Sequence, residues 1–223
     1  MSVRKSEINV SKANLLSLVL FIVVGVVLVP LYYWIWGSIS ISIDTSFFKD
    51  SIESVLNFIP ISDSIIGGIV GGVVGWLLCG VIIGVSFALL FAVPHELIHG
   101  ITWMIVAKCA WSDINFGVMW KNLCTPYCHC KIPMIVSQYR LALLMPLIVL
   151  GVLPTLLSLV VGSSLLLFYG ILGIVGAMGD IMMVWLLRKE SGITKIYDHP
   201  SAAAFFLFDT DEDFEEIKKE INN

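Results

Sequence analysis

Two histidines four residues apart, with a glutamate directly after the first, form His95-Glu96-Leu97-Ile98-His99 inside an almost uninterrupted apolar run from about Ile65 to Ala107. On a helix, residues four apart share a face, so His95 and His99 can grip one metal ion while Glu96, one residue further round, reaches a water beside it. Ionisable groups in so apolar a segment are costly unless they are paired or at work. The chemistry these residue types support at this spacing is metal-assisted hydrolysis of a peptide bond, with Zn2+ as the metal and Glu96 as general acid and base.

Catalytic zinc needs three protein ligands and one open position, so a third ligand is required. The candidate is Asp180 in Gly176-Ala177-Met178-Gly179-Asp180-Ile181, the only charged residue in a long apolar segment near the C-terminus. Depth arithmetic supports the pairing. Asp180 precedes Arg188 by about 12 Å of helix and His99 precedes Lys108 by about 13.5 Å at the helical rise, so both belong near one level below the same membrane face. An unpaired aspartate at that depth costs about 2.5–3.5 kcal/mol, which a metal offsets. Gly176 and Gly179 are expected to let helices approach closely there. The alternatives are structural histidines hydrogen-bonded across helices, and an aspartate paired with a serine, a backbone group or Lys195.

The elements that must position these groups follow from composition. Of 223 residues, 58% are hydrophobic and 13% charged, and the mean hydropathy is +0.94. The fold class expected is an all-α integral membrane protein, a single membrane-embedded domain of about four transmembrane helices with a small cytoplasmic β-hairpin between spans two and three. Residues 1–12 form a cytoplasmic N-terminus, and span one covers 13–36, ending in the aromatic belt Tyr32, Tyr33, Trp34 and Trp36. An extracytoplasmic loop covers 37–64. The second-span region, 65–107, would be about 65 Å long as one helix, roughly twice the hydrocarbon thickness, so it must kink, protrude or re-enter. Pro94 is a candidate kink. Residues 108–136 alternate as a hairpin, spans three and four cover 137–161 and 164–187, and 188–223 form a cytoplasmic acidic tail. Pro146 and Pro154 are expected to bend the third span.

Lys and Arg in the short connections set the orientation. Arg4, Lys5 and Lys12 precede span one, Lys108, Lys121, Lys131 and Arg140 fall between spans two and three, and Arg188, Lys189 and Lys195 follow span four. Both termini are therefore expected in the cytoplasm of a multi-pass cell-membrane protein. The net charge of −4, concentrated around Asp209-Thr210-Asp211-Glu212-Asp213, gives no support to a nucleic-acid role. The expected partners are the lipid bilayer and a membrane protein or peptide substrate, and the oligomeric state is not legible. The five cysteines, Cys79, Cys109, Cys124, Cys128 and Cys130, read as reduced thiols, since the spacing around Cys124–Cys130 lacks the paired geometry of structural zinc. Tyr127 and His129 are candidates for a second oxyanion donor, and Asp198-His199-Pro200 reads as a solvated turn.

The chain resembles the membrane zincins of the site-2-protease type, through HExxH on one span, a hairpin-like insertion, and an aspartate on the last of three core spans. More closely, it is similar to a family of membrane zincin peptidases known by an uncharacterised domain. That resemblance rests on His95 to Gly100, Leu123 to Pro133, Pro146, Gly179-Asp180 and Asp198-His199-Pro200. It implies His95, His99 and Asp180 as zinc ligands and Glu96 as base. Asp180 departs from the site-2-protease pattern in being followed by Ile181, where that group carries glycine. The expected function is a zinc metalloprotease cutting a membrane-associated protein near the cytoplasmic face. A non-catalytic metal-binding protein or partner-recruiting scaffold is the alternative, and a metal transporter is a third reading that four spans and one tight site disfavour.

Overall fold

The computed structural model describes residues 3–40, 73, 75, 77, 80–82, 84–86, 88–119, 125–200 and 202–222. It divides into two units, one of Met1–Ile39 with Val93–Asn223 and the other of Ser40–Ala92. In the second unit the described residues from 73 onward are helical and finish in a π-helical turn, Ala88–Ala92. The path of residues 41–71, where the sequence predicts a loop and the start of the second span, lies outside the described residues, as do Lys121 and Cys124.

In the first unit, helix α1 (Val10–Trp36) begins at Asn9, whose side chain accepts the Lys12 N–H at 3.0 Å, and ends at Gly37 in the left-handed conformation. Its apolar residues face outward on nearly all sides, the signature of a helix whose surroundings are themselves apolar. Helix α2 (Val93–Val106) carries HELIH. Helix α3 (Val136–Pro146) continues through a widened π turn, Leu147–Val152, into α4 (Leu153–Val161), so the irregularity falls between the two prolines. Helices α5 (Ser164–Gly176) and α6 (Met178–Leu187) follow, and α7 (Asp211–Asn222) is the acidic C-terminal helix. Among the described residues, three helical stretches are long and apolar enough to cross a membrane: Val10–Trp36, Gly80–Val106 and Val136–Val161. The fourth predicted span is not one straight helix, because α5 and α6 are bent by 42°.

Close packing in the α4/α5 hairpin depends on glycines other than those the sequence singles out. A Cβ on Gly170 would run into Thr155, and one on Gly173 into the Leu150 carbonyl, whereas Cβ atoms at Gly176 and Gly179 would meet nothing within 4 Å. The expected close approach at Gly176 and Gly179 is therefore corrected: the tight crossing lies one to two turns earlier. At the other end of this hairpin, Gly162 turns at φ +71° beneath the Trp36 ring, whose Nε1 donates to the Leu159 carbonyl at 3.2 Å.

Among the described residues, six strands supplement the helices. Strands β2 (Ile114–Met119) and β3 (Thr125–Cys130) form an antiparallel hairpin, with Gly117 opposite Tyr127 and Phe116 opposite Cys128. A second, four-stranded antiparallel sheet has the order β1-β6-β5-β4, from Arg4–Glu7, Ala204–Phe208, Lys195–Asp198 and Met134–Ile135. The hairpin is expected from the sequence and this sheet is not. Its alternation is regular: Phe205, Leu207 and Ile196 enter the main core with Trp103, Tyr139 and Leu187, while Phe206, Phe208 and Tyr197 enclose Ile217 of α7. Residues 195–208, read from sequence as part of an acidic tail, thus form two of the most buried segments of the chain.

Candidate metal centre

Within α2, His95 and His99 stand one turn apart with their Nε2 atoms separated by 3.2 Å. Asp180, in the first turn of α6, reaches both, its Oδ2 lying 3.0 Å from His95 Nε2 and its Oδ1 3.4 Å from His99 Nε2. One donor atom from each residue falls within 4.8 Å of the others. The structure thus brings together the three residues that the HExxH spacing, the lone charge in an apolar segment and the depth arithmetic point to.

The donor chemistry fits zinc. His99 Nδ1 lies 2.9 Å from the Ala142 carbonyl of α3, and a carbonyl only accepts, so the ring proton belongs on Nδ1 and the Nε2 lone pair faces His95 and Asp180. Two imidazole nitrogens and a carboxylate aimed at one region are stable together only with a proton or a metal ion shared among them. The two Nε2 atoms, 3.2 Å apart, are close to the about 3.3 Å separation that bonds of 2.0–2.1 Å to a tetrahedral zinc imply, and each lies near one oxygen of the Asp180 carboxylate, at 3.0 and 3.4 Å. A backbone carbonyl in the place of Ala142's is the kind of outer-sphere acceptor that fixes the tautomer of a metal-binding histidine. The Trp103 ring, stacked on His99 at 5.9 Å, closes the other side. The site is dry on the His99 side and open on the other, with side-chain exposures of 6% for His99 against 18% for His95 and 16% for Asp180.

Glu96 is half-buried, one residue round the helix from His95. The hairpin rests directly on α2 beside it: a Cβ on Gly100 would lie 3.1 Å from Phe116, 3.2 Å from Ile114 and 3.5 Å from Cys128 Sγ.

The remaining sequence candidates go elsewhere. Tyr127 lies across Gly117, where a Cβ would come within 2.6 Å of its ring. His129 is buried and engages Asp198, Nδ1 to Oδ2 at 3.1 Å, and Asp198 also accepts from the Tyr139 hydroxyl at 2.7 Å. The solvated turn predicted at Asp198 is thereby corrected: the carboxylate is 8% exposed, because pairing of β5 with β6 draws it under the sheet. Tyr139 and Ala142 carry no sequence signal, since a tyrosine and an alanine in an apolar helix have many other uses. Cys109, Cys128 and Cys130 are free thiols, with Cys109 and Cys130 Sγ atoms 3.2 Å apart, and burial pushes the Cys128 and Cys130 thiols well above the usual range.

Neither the curated proteins nor the solved structures give a match to this chain. A family model does, and the segment it covers contains the histidine pair, Glu96, the hairpin, the two proline-flanked helices and Asp180: residues 87–192 match the family described as "Putative zincin peptidase".

Proposed function

We propose that the chain is a zinc-dependent, membrane-embedded endopeptidase that hydrolyses a peptide bond of a membrane-associated protein near the cytoplasmic face. The observation that carries the reading is the convergence of His95, His99 and Asp180, from two separate helices, with one donor atom of each within 4.8 Å of the others and Glu96 beside them. The family match to a zincin peptidase supports the same chemistry.

Each residue has a defined task. His95, His99 and Asp180 would hold the zinc, which when bound supplies Lewis-acid polarisation and makes water nucleophilic at neutral pH. The Glu96 carboxylate takes a proton from the attacking water and returns it to the leaving amine. His99 keeps its Nδ1 proton on the Ala142 carbonyl throughout, so its Nε2 stays a donor of electrons. The outer edge of β2 has no strand partner among the described residues and offers an extended substrate a place to add as a further strand.

The membrane arrangement is part of the proposal, and the four-stranded sheet supports it by parity. Residues 4–7, 134–135, 195–198 and 204–208 share one sheet and hence one side of a bilayer. Chain leaving that side at α1 must return before Met134, and chain leaving at α3 must return before Lys195. The bent α5–α6 pair then acts as the fourth crossing, with both ends of the chain on the side marked cytoplasmic by the Lys and Arg distribution.

The test is Glu96→Gln in the full chain reconstituted with zinc. Zinc stoichiometry should stay at that of the wild type while cleavage of membrane proteins, read by comparing total membrane proteomes of cells expressing either form, disappears. Cleavage that survives the substitution removes the catalytic reading.

A further inference from the structure

Three buried polar groups outside the metal centre, Asp198, His129 and Tyr139, meet with no assigned role. They come from three elements that are distant in sequence: β5, the hairpin strand β3, and α3. Asp198 accepts from Tyr139 at 2.7 Å and His129 Nδ1 lies 3.1 Å from its other oxygen, with His129 2% and Tyr139 1% exposed. A buried carboxylate is a poor source of stability, because its desolvation cancels most of what its partners return, and an apolar trio of the same volume would hold the core as well. What a carboxylate adds is direction, since its lone pairs fix where two donors must stand.

The structure assigns that direction a use: Asp198, through His129 and Tyr139, is a positioning residue that sets strand β3 against the helix carrying Glu96 and backs the aromatic stack behind His99. This rests on the peptidase reading of Glu96. Both branches are geometric. On one, His129 is flanked by the two residues of β3 that touch the motif helix and its exit: Cys128, whose Sγ would be 3.5 Å from a Cβ on Gly100, and Cys130, whose Sγ is 3.2 Å from that of Cys109. Holding His129 therefore fixes the strand along its axis, and with it the Cys128 side chain packed on Gly100, one turn beyond Glu96. On the other, the Tyr139 ring stacks on Trp103 at 6.1 Å, and Trp103 stacks on His99 at 5.9 Å. One carboxylate beneath the helices thus ties the base side of the centre to the ligand side. It also gives the C-terminal strands a functional reason to fold back under the bundle.

The experiment uses the full chain with zinc bound, as wild type, Asp198→Asn and the shape-preserving Tyr139→Phe. Three quantities are read: zinc per chain, kcat and KM on fluorescein-labelled casein, and amide hydrogen exchange resolved at Cys128 and along Val93–Val106. The expected result is unchanged zinc stoichiometry and KM, kcat lowered at least about tenfold, and Cys128 exchange faster by at least about tenfold, while the Val93–Val106 amides keep their protection. Exchange at Cys128 within twofold of wild type in both variants overturns the inference. Uniform loss of protection across the strand and the helix overturns it as well, because the cluster would then be a general stabiliser. Failure of the peptidase reading is read separately, as no difference between the membrane proteomes of cells expressing wild type and Glu96→Gln, and the exchange measurement still decides the positioning.

Discussion

Removing Asp180 separates a three-ligand metal centre from a histidine pair that happens to neighbour a carboxylate. His95 and His99 share a helix with Nε2 atoms 3.2 Å apart, so they remain a two-point chelate when Asp180 is lost. If the three donors share an apparent zinc binding energy of about 10–16 kcal/mol evenly, one of them carries about 3–5 kcal/mol. Asp180→Ala should then weaken zinc binding roughly 10²- to 10³-fold or somewhat more. Asp180→Asn should fall between wild type and alanine, because it keeps an oxygen where the present ones lie 3.0 and 3.4 Å from the two imidazoles but loses the negative charge. His99→Ala should cost at least as much as Asp180→Ala, since it removes the one ligand whose orientation is locked by a backbone carbonyl. The assay is competition against a chromophoric chelator with protein in detergent, checked by elemental analysis for zinc per chain. Binding by Asp180→Ala within threefold of wild type, together with loss in His95→Ala and His99→Ala, would refute the assignment of Asp180 as a ligand.

Two further outcomes follow from the packing and from the sheet. A methyl on Gly173 would meet the Leu150 carbonyl and come within 2.9 Å of the Gly151 nitrogen, both backbone atoms that cannot step aside; Gly173→Ala should destabilise the chain by about 1–3 kcal/mol, lowering the thermal midpoint in detergent, while Gly25→Ala, with nothing within 4 Å of its Cβ, should not. Alkaline phosphatase fused after Trp36 should be active in cells and fused after Lys108 or at the C-terminus inactive, and an active C-terminal fusion would break the parity argued from β1, β4, β5 and β6.

The candidate metal centre was legible because its residues are chemically expensive where they stand. His95, Glu96, His99 and Asp180 interrupt apolar segments, and a cost of that kind is visible without coordinates. The hairpin was legible because strand residues alternate around Gly117 and Tyr127 at a two-residue period. The four-stranded sheet was not, because its strands are two to five residues long, lie as far apart in sequence as Arg4 and Phe208, and owe their pairing to a shared core rather than to local pattern. Phe205 to Phe208 is apolar at every position, since both faces of β6 are covered, and an unbroken apolar run carries no period to read. Tyr139 and Ala142 were invisible for a different reason: their work is done by a hydroxyl and a backbone carbonyl that only the third dimension brings to Asp198 and His99.

The break between α5 and α6 then has a rationale that neither helix gives alone. A continuous helix from Ser164 to Leu187 would place Asp180 mid-helix, where its neighbours' N–H groups are all occupied by the turn before. Ending α5 at Gly176 and restarting at Met178 puts Asp180 in a first turn, where the free N–H groups and the positive end of the helix dipole favour a carboxylate. The restart is anchored from the bend itself, Ala177 being fully buried and accepting the Ile181 N–H at 3.0 Å. At the far end of the same helix, Arg140 of α3 donates to the Leu187 and Glu190 carbonyls, the first of which also accepts the Glu190 N–H at 2.9 Å. A ten-residue helix tied to α3 at its far end and bent away from α5 at its start presents one carboxylate to two histidines on α2. For a site that needs donors from two helices brought together, a short helix tied at its far end is a better carrier than a long one free to rotate.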